Sequence, residues 1–169
     1  MVHVRVLEPA DLDAVVGLSL RAWAPVFASM GSVLGPRLDA MVNPQWESAQ
    51  AAAVRAVCEE RSPHVYVAEL DGTAAGFAAV ALHDDDAPEP GSGEIEMIAV
   101  DPAYQRRGVA RALIAACTEA MERAGCRFAV VATGGDPGHA PARAAYDAAG
   151  FTGLPLVRNY RALGPDPAG

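Results

Sequence analysis

Three acids, two arginines and a glycine are packed into one short stretch of this chain, Glu94 to Ala110, which reads EIEMIAVDPAYQRRGVA. An apolar run from Ile95 to Val100 ends at Asp101-Pro102, and Gln105-Arg106-Arg107-Gly108-Val109-Ala110 then opens an amphipathic segment, Arg111 to Ala124. A strand that turns sharply into a helix N-terminus aims unpaired backbone N–H groups at one spot, where the helix dipole also favours negative charge. Gly108 lets a bulky anion approach the main chain, and Arg106 and Arg107 add cationic donors. The stretch therefore predicts a pyrophosphate cradle. It is neither a P-loop nor a dinucleotide fingerprint: G-x-x-x-x-G-K-[ST] and G-x-G-x-x-G are both missing, and the chain has no lysine.

Glu94 and Glu96, two apart on the strand entering the cradle, are expected on one face, shared with Ile98 and Val100. A carboxylate in an apolar strand is costly unless paired or adapted to proton transfer, so Glu96, alone or with Glu94, is a candidate base; a solvated strand start is the alternative. Tyr146 falls within one turn of the C-terminus of a predicted helix, four residues before Gly150. A phenol there can serve as a proton donor or simply fill the core. The histidines, His3, His64, His83 and His139, form no metal pattern. Asp136 reads as a turn residue or a helix-start acid, with the turn favoured. Cys58, Cys117 and Cys126 lack ligand spacing and read as core thiols.

The cradle resembles the Q/R-x-x-G-x-G/A signature of the GNAT N-acetyltransferase superfamily. Pro141-Ala142-Arg143-Ala144-Ala145-Tyr146-Asp147-Ala148-Ala149-Gly150-Phe151 is similar to the later P-A-R-x-x-Y-x-x-x-G-F block of that family, and the interval between the two blocks suits a helix, a strand and a loop. The resemblance covers residues 94 to 151. It implies acetyl-CoA as acyl donor, with exposed main-chain groups of Ile98, Ala99 and Val100 pairing with the pantetheine arm. Gln105, Arg106, Arg107, Gly108, Val109 and Ala110 would surround the pyrophosphate, and His139 and Arg143 would add cofactor contacts. His139 stands where many relatives carry asparagine. Tyr146 would lie near the thioester sulfur, and amides at a strand bulge would polarise the thioester carbonyl, worth about 3 kcal/mol of barrier.

The elements needed to position these groups can be read along the chain. His3 to Leu7 is an alternating strand, followed by a helix from about Asp11 to Met30 that Pro25 kinks or splits, with Leu12, Val15, Val16, Leu18 and Trp23 on its apolar side. Gly31 to Pro44 reads as a multi-turn connection, and Gln45 to Arg61 as a helix. Val65 to Leu70 and Thr73 to Leu82 form a hairpin about Asp71-Gly72. DDDAPEPGSG, residues 84 to 93, is an exposed acidic loop. A strand from Phe128 to Thr133, a helix from Pro141 and a last strand from Pro155 to Leu163 complete a GNAT-like α/β (α+β) sheet. That sheet is mixed, mostly antiparallel, with helices on both faces. Residues 1–163 make one domain and 164–169 a flexible tail.

Composition bounds the partners. The chain has 169 residues, 51% of them hydrophobic and 20% charged, which is ordinary for a globular domain. Residues 1–96 carry 15 acids and 5 arginines, whereas 97–169 carry 6 acids and 8 arginines. A phosphate-bearing cofactor suits the second half and a cationic acceptor the first, although acids also serve solubility. Nucleic acid is a poor partner for such a charge pattern. No apolar run approaches membrane-spanning length and no signal segment is visible, so a cytoplasmic protein without membrane partner or metal is expected, with a homodimer allowed. Only roughly one alkylamine molecule in a thousand is unprotonated at neutral pH, so a base or water relay helps. The reading is direct acetyl transfer to a primary amine, because no cysteine sits in a nucleophile pattern. The acceptor is a small cationic metabolite or antibiotic, or a peptide or protein; Trp23 and Trp46 could stack on it or fill the core. Rivals are a CoA-binding regulatory module with weak or lost catalysis, and a longer acyl-CoA donor.

Overall fold

The computed structural model describes residues 1–84 and 86–164. The first strand, β1 (Val2–Val6), alternates valine with polar residues and pairs antiparallel with β2 (Val65–Leu70). Asp71 and Gly72 both take left-handed φ, 53° and 77°, which matches the twist of a tight hairpin and sends the chain back as β3 (Thr73–Leu82). β4 (Ser92–Val100) continues the antiparallel ladder, and β5 (Phe128–Val131) joins it in parallel. The sheet order is β1-β2-β3-β4-β5.

Each face of this sheet carries a pair of helices. On one side α1 (Leu12–Val42) and α2 (Trp46–Glu60) bury Val15, Leu18, Val54 and Val57 against Val67 and Phe77. On the other, α3 (Val109–Arg123) and α4 (Ala140–Ala148) bury Leu113, Cys117, Met121 and Tyr146 against Ala78, Val80 and Ile95. The mixed, mostly antiparallel sheet with helices on both faces is as expected. Burying β3 on both sides is possible because Ala75, Ala78 and Ala79 present so little bulk.

Three expectations need correction. α1 does not stop at Met30: the stretch 31–42, read as a connection, is helical, and the break falls at Gly35 (φ 76°, ψ 163°) rather than at Pro25. Glycine tolerates that backbone, and Pro36 then starts a fresh helical run because its missing N–H lies where the ladder is already broken. The helical stretch Pro9–Val42 is, by length and composition only, long and apolar enough to cross a membrane. Residues 155–163 form no strand. Leu154, Leu156 and Val157 are 80–83% exposed, because strand propensity is realised only beside a ladder partner, and this segment has none among the described residues. Of the expected tail, Gly164 accepts a hydrogen bond from Arg37, and residues 165–169 lie outside the described residues.

Candidate active site

The cradle is built at the end of β4. Asp101 is buried, and its carboxylate accepts from the Ala103 N–H at 2.9 Å and from the Arg21 guanidinium at 2.6 Å. Burial opposes its ionisation, but those bonds outweigh it and hold its pKa below the usual carboxylate value. The fixed turn leads through the short helical turn Pro102–Tyr104 to Gln105, whose side-chain amide donates to the Val100 carbonyl at 3.3 Å. Arg106 (φ 61°) and Gly108 (φ 84°) are both left-handed, and Gly108 caps α3. The first amide bonded back into the helix is that of Ala112, to Gly108 O, so the amides of 109–111 point beyond the helix end. A Cβ at Gly108 would meet nothing within 4 Å, which leaves room for an anion in front of them.

Beside the cradle the sheet splits. β4 and β5 are paired only from Ser92↔Phe128 to Ile95↔Val131, after which β4 runs on alone to Val100. The parting strands open a cleft of about 740 Å³. Ile98, Ala99 and Val100 line it with the β4 edge that β5 has left, so main-chain groups there are available to an extended ligand. Gln105, Arg106, Gly108, Val109, Ala110, Glu96, His139 and Tyr146 also line it, together with Trp23, Pro25 and Val26 of α1. Arg107 does not: its guanidinium lies 5.8 Å from the Tyr104 ring centroid. Arg143 does not either, because its Nη1 donates to the carbonyls of Gly134 (2.6 Å) and Asp136 (2.9 Å). Trp46 stacks on Phe27 at 4.4 Å, away from the cleft lining.

The two glutamates do not share a face with Ile98 and Val100. The register slips between Ala79↔Met97 and Val80↔Ile95, leaving Glu96 as the extra residue of a β-bulge. One inserted residue reverses the alternation, so Ile95 packs in the α3/α4 core with Ile98 and Val100, while Met97 and Ala99 pack against α1 and α2. Glu96 is also paired. Glu96 accepts from Arg61 Nε, just beyond α2, at 2.5 Å, and that bond raises the Arg61 pKa above its ordinary value. Glu94 lies 3.3 Å from His83 Nε2. Sequence spacing cannot reveal a bulge or a partner 35 residues away.

Tyr146 is 7% exposed, its ring edge-on to Phe151 at 6.0 Å. Burial pushes its phenol up to about 12, so the group is a proton donor throughout the neutral range. Asp136, favoured as a turn residue, has a larger role: its carboxylate holds Ser29 Oγ (2.7 Å), the Gly138 N–H (3.0 Å) and His139 Nδ1. Burial again opposes ionisation, and the bonds from Ser29 and His139 outweigh it, keeping the Asp136 pKa below its usual value. Among the described residues no group of three or more His, Cys, Asp or Glu is arranged to hold a metal.

Known proteins share this architecture. The chain superposes on the aminoglycoside N-acetyltransferase AAC(6')-Iy in complex with a bisubstrate analog, CoA-S-monomethyl-acetylneamine, with a TM-score of 0.65 at 24% identity over 97% of this chain and 99% of that one. It matches the ribosomal-protein-S18-alanine N-acetyltransferase from Escherichia coli at 0.64 and 23% identity, over 95% and 83% of the two chains. A GNAT family acetyltransferase from Brucella melitensis in complex with acetyl-CoA aligns at 0.61 and 23% identity, over 95% and 92%. No curated protein sequence matches. The model of the acetyltransferase (GNAT) family matches residues 35–151, the span holding the cradle, the cleft strands and Tyr146, and on that match the chain belongs to the GNAT acetyltransferase family.

Proposed function

We propose that the protein transfers an acetyl group from acetyl-CoA directly to a primary amine. The observation that carries this reading is the joining of the glycine-capped end of α3 to the β4/β5 cleft, with the Tyr146 phenol buried at its wall. In this reading the pyrophosphate rests on the amides of 109–111, beside Arg106, and the pantetheine arm adds to the free edge of Ile98–Val100. The amine nitrogen attacks the thioester carbon, a C–N bond forms and the C–S bond breaks. Tyr146 gives its proton to the departing thiolate and recovers one from the new amide nitrogen. Glu96, which lines the cleft, would favour a cationic acceptor. The similar enzymes named for an aminoglycoside and for a ribosomal-protein alanine support a small cationic amine or a peptide as acceptor classes.

The ion pair of Glu96 with Arg61 favours one second reading, a CoA-binding regulatory module without turnover. A thiol-release assay with acetyl-CoA against aminoglycosides, polyamines, amino acids and peptides separates the two. Amine-dependent release supports transfer, and acetyl-CoA binding without release across the panel supports the module.

A further inference from the structure

With Glu96 bound to Arg61 and Glu94 beside His83, the proton acceptor for an incoming ammonium has to be sought elsewhere on the cleft wall. His139 lines that wall at the start of α4, seven residues before Tyr146. Its Nδ1 is in contact with Asp136 Oδ1. Because Asp136 is held ionised, Nδ1 must carry the hydrogen, and the neutral ring then presents an unprotonated Nε2. The loop carrying the pair is anchored from two helices: Ser29 of α1 bonds Asp136 and the Gly138 N–H, and Arg143 of α4 bonds two loop carbonyls.

Space has been left for this pair. A Cβ on Gly134 would come within 2.5 Å of both Asp136 Oδ1 and His139 Nδ1, so the imidazole packs over a residue without a side chain. At 1.5 Å rise per residue, His139 and Tyr146 begin roughly 10 Å apart along α4, on the same side of the cleft. A cleft between them has room for an acceptor nitrogen at one end and a thiol at the other.

We infer that His139, oriented by Asp136, is the general base of the transfer, taking the ammonium proton on Nε2 directly or across one water. The inference rests on the acetyl-transfer reading above. R–NH₃⁺ gives one proton to Nε2, which later passes it to solvent. The amine lone pair then forms the C–N bond, and the C–S electron pair leaves with sulfur. The second amine proton replaces the one Tyr146 delivers to the thiolate. Products are the amide, the free thiol and one released proton. Asp136 is a positioning residue in this scheme.

Asp136 lies on the same loop as His139 and Arg143 on α4, while Glu96, Arg106, Arg111 and Tyr146 share the cleft. The facing stretch of α1, residues 22–34, has no charged residue.

The test uses the full-length protein, acetyl-CoA and the best acceptor of the thiol-release panel, with kcat/KM measured against pH for wild type, His139→Gln, Asp136→Asn and Glu96→Gln. His139→Gln should lower kcat/KM at neutral pH by about 10 to 100 fold, lose the limb due to imidazole titration and recover toward alkaline pH, with acetyl-CoA affinity held within twofold by calorimetry. Asp136→Asn should cost about 10 fold. In ¹⁵N NMR of the imidazole it should also release the Nδ1–H tautomer, which a merely structural effect elsewhere would not move. Wild-type rates in a folded His139→Gln protein would overturn the base assignment alone. A limb that vanishes in Glu96→Gln and persists in His139→Gln would give the role to Glu96. If the wild type releases no thiol with any amine, the acetyl-transfer reading itself fails and takes the base assignment with it.

Discussion

Replacing Gly108 with valine tests the cradle where its geometry is most specific. Gly108 sits at φ 84°, ψ 2°, and any residue with a Cβ is strained there by about 1–2 kcal/mol. For a chain of this size that strain lowers Tm by about 2–8 °C. No protein atom lies within 4 Å of the new Cβ, so no clash adds to it and the variant should fold. The valine methyls instead occupy the open volume in front of the α3 amides. Displacing an anion from one charge-assisted hydrogen bond costs about 1.5–3 kcal/mol, which corresponds to an acetyl-CoA Kd weakened about 10 to 100 fold. Gly108→Ala separates the two effects, since it carries the same backbone strain with less bulk and should weaken binding less at a similar Tm. Titration calorimetry with acetyl-CoA reads the affinities, and thermal unfolding reads the strain. An unchanged Kd in a folded Gly108→Val protein would remove the cradle. Equal weakening in both variants would assign the effect to strain.

Tyr146→Phe keeps the buried ring and removes the hydroxyl, so kcat should fall about 10 to 100 fold with acetyl-CoA affinity nearly intact; native turnover would leave Tyr146 a packing residue. Cys117 is fully buried, and burial pushes its thiol from 9.0 up to about 12. Above pH 9 the unfolded chain therefore holds fewer protons than the folded one, and stability should decline between pH 9 and 12, less steeply in Cys117→Ala when followed by urea unfolding. Asp101→Asn should cost about 1–3 kcal/mol at pH 7 by weakening the bonds to Arg21 and Ala103. Because the folded Asp101 pKa is depressed, its contribution is present above the ordinary carboxylate value and lost as pH falls through the folded one, so the gap between variant and wild type should close in acid.

Local chemistry made much of this protein legible in its sequence. Asp71-Gly72 fixed a hairpin because few residues accept two left-handed positions in succession, and β2 and β3 fall where alternation and turn signal placed them. Gly108 before an amphipathic run announced a helix start, since glycine accepts the left-handed backbone that caps α3. The spacing of Tyr146 to Gly150 placed the phenol in the last turn of α4. Each of these features is decided within about a dozen residues.

What the tertiary structure alone decided involves partners distant in the chain. The bulge at Glu96 is set by the fit of β4 to β3, and it turned two acids away from the face that alternation assigned them. Arg61 then paired with Glu96, and Asp101 found Arg21 80 residues away. Residues 155–163 carry a strand pattern but no strand, because a lone segment cannot satisfy its own backbone in a ladder. His139 reads in sequence as an isolated departure from a motif. It becomes an oriented imidazole only when the loop brings Asp136 to its Nδ1, α1 brings Ser29 to Asp136, and Gly134 leaves the ring its space. Periodicity and turn chemistry thus specify where elements begin and which backbone groups they expose, whereas the pairing of charges depends on packing between elements, which no local pattern encodes.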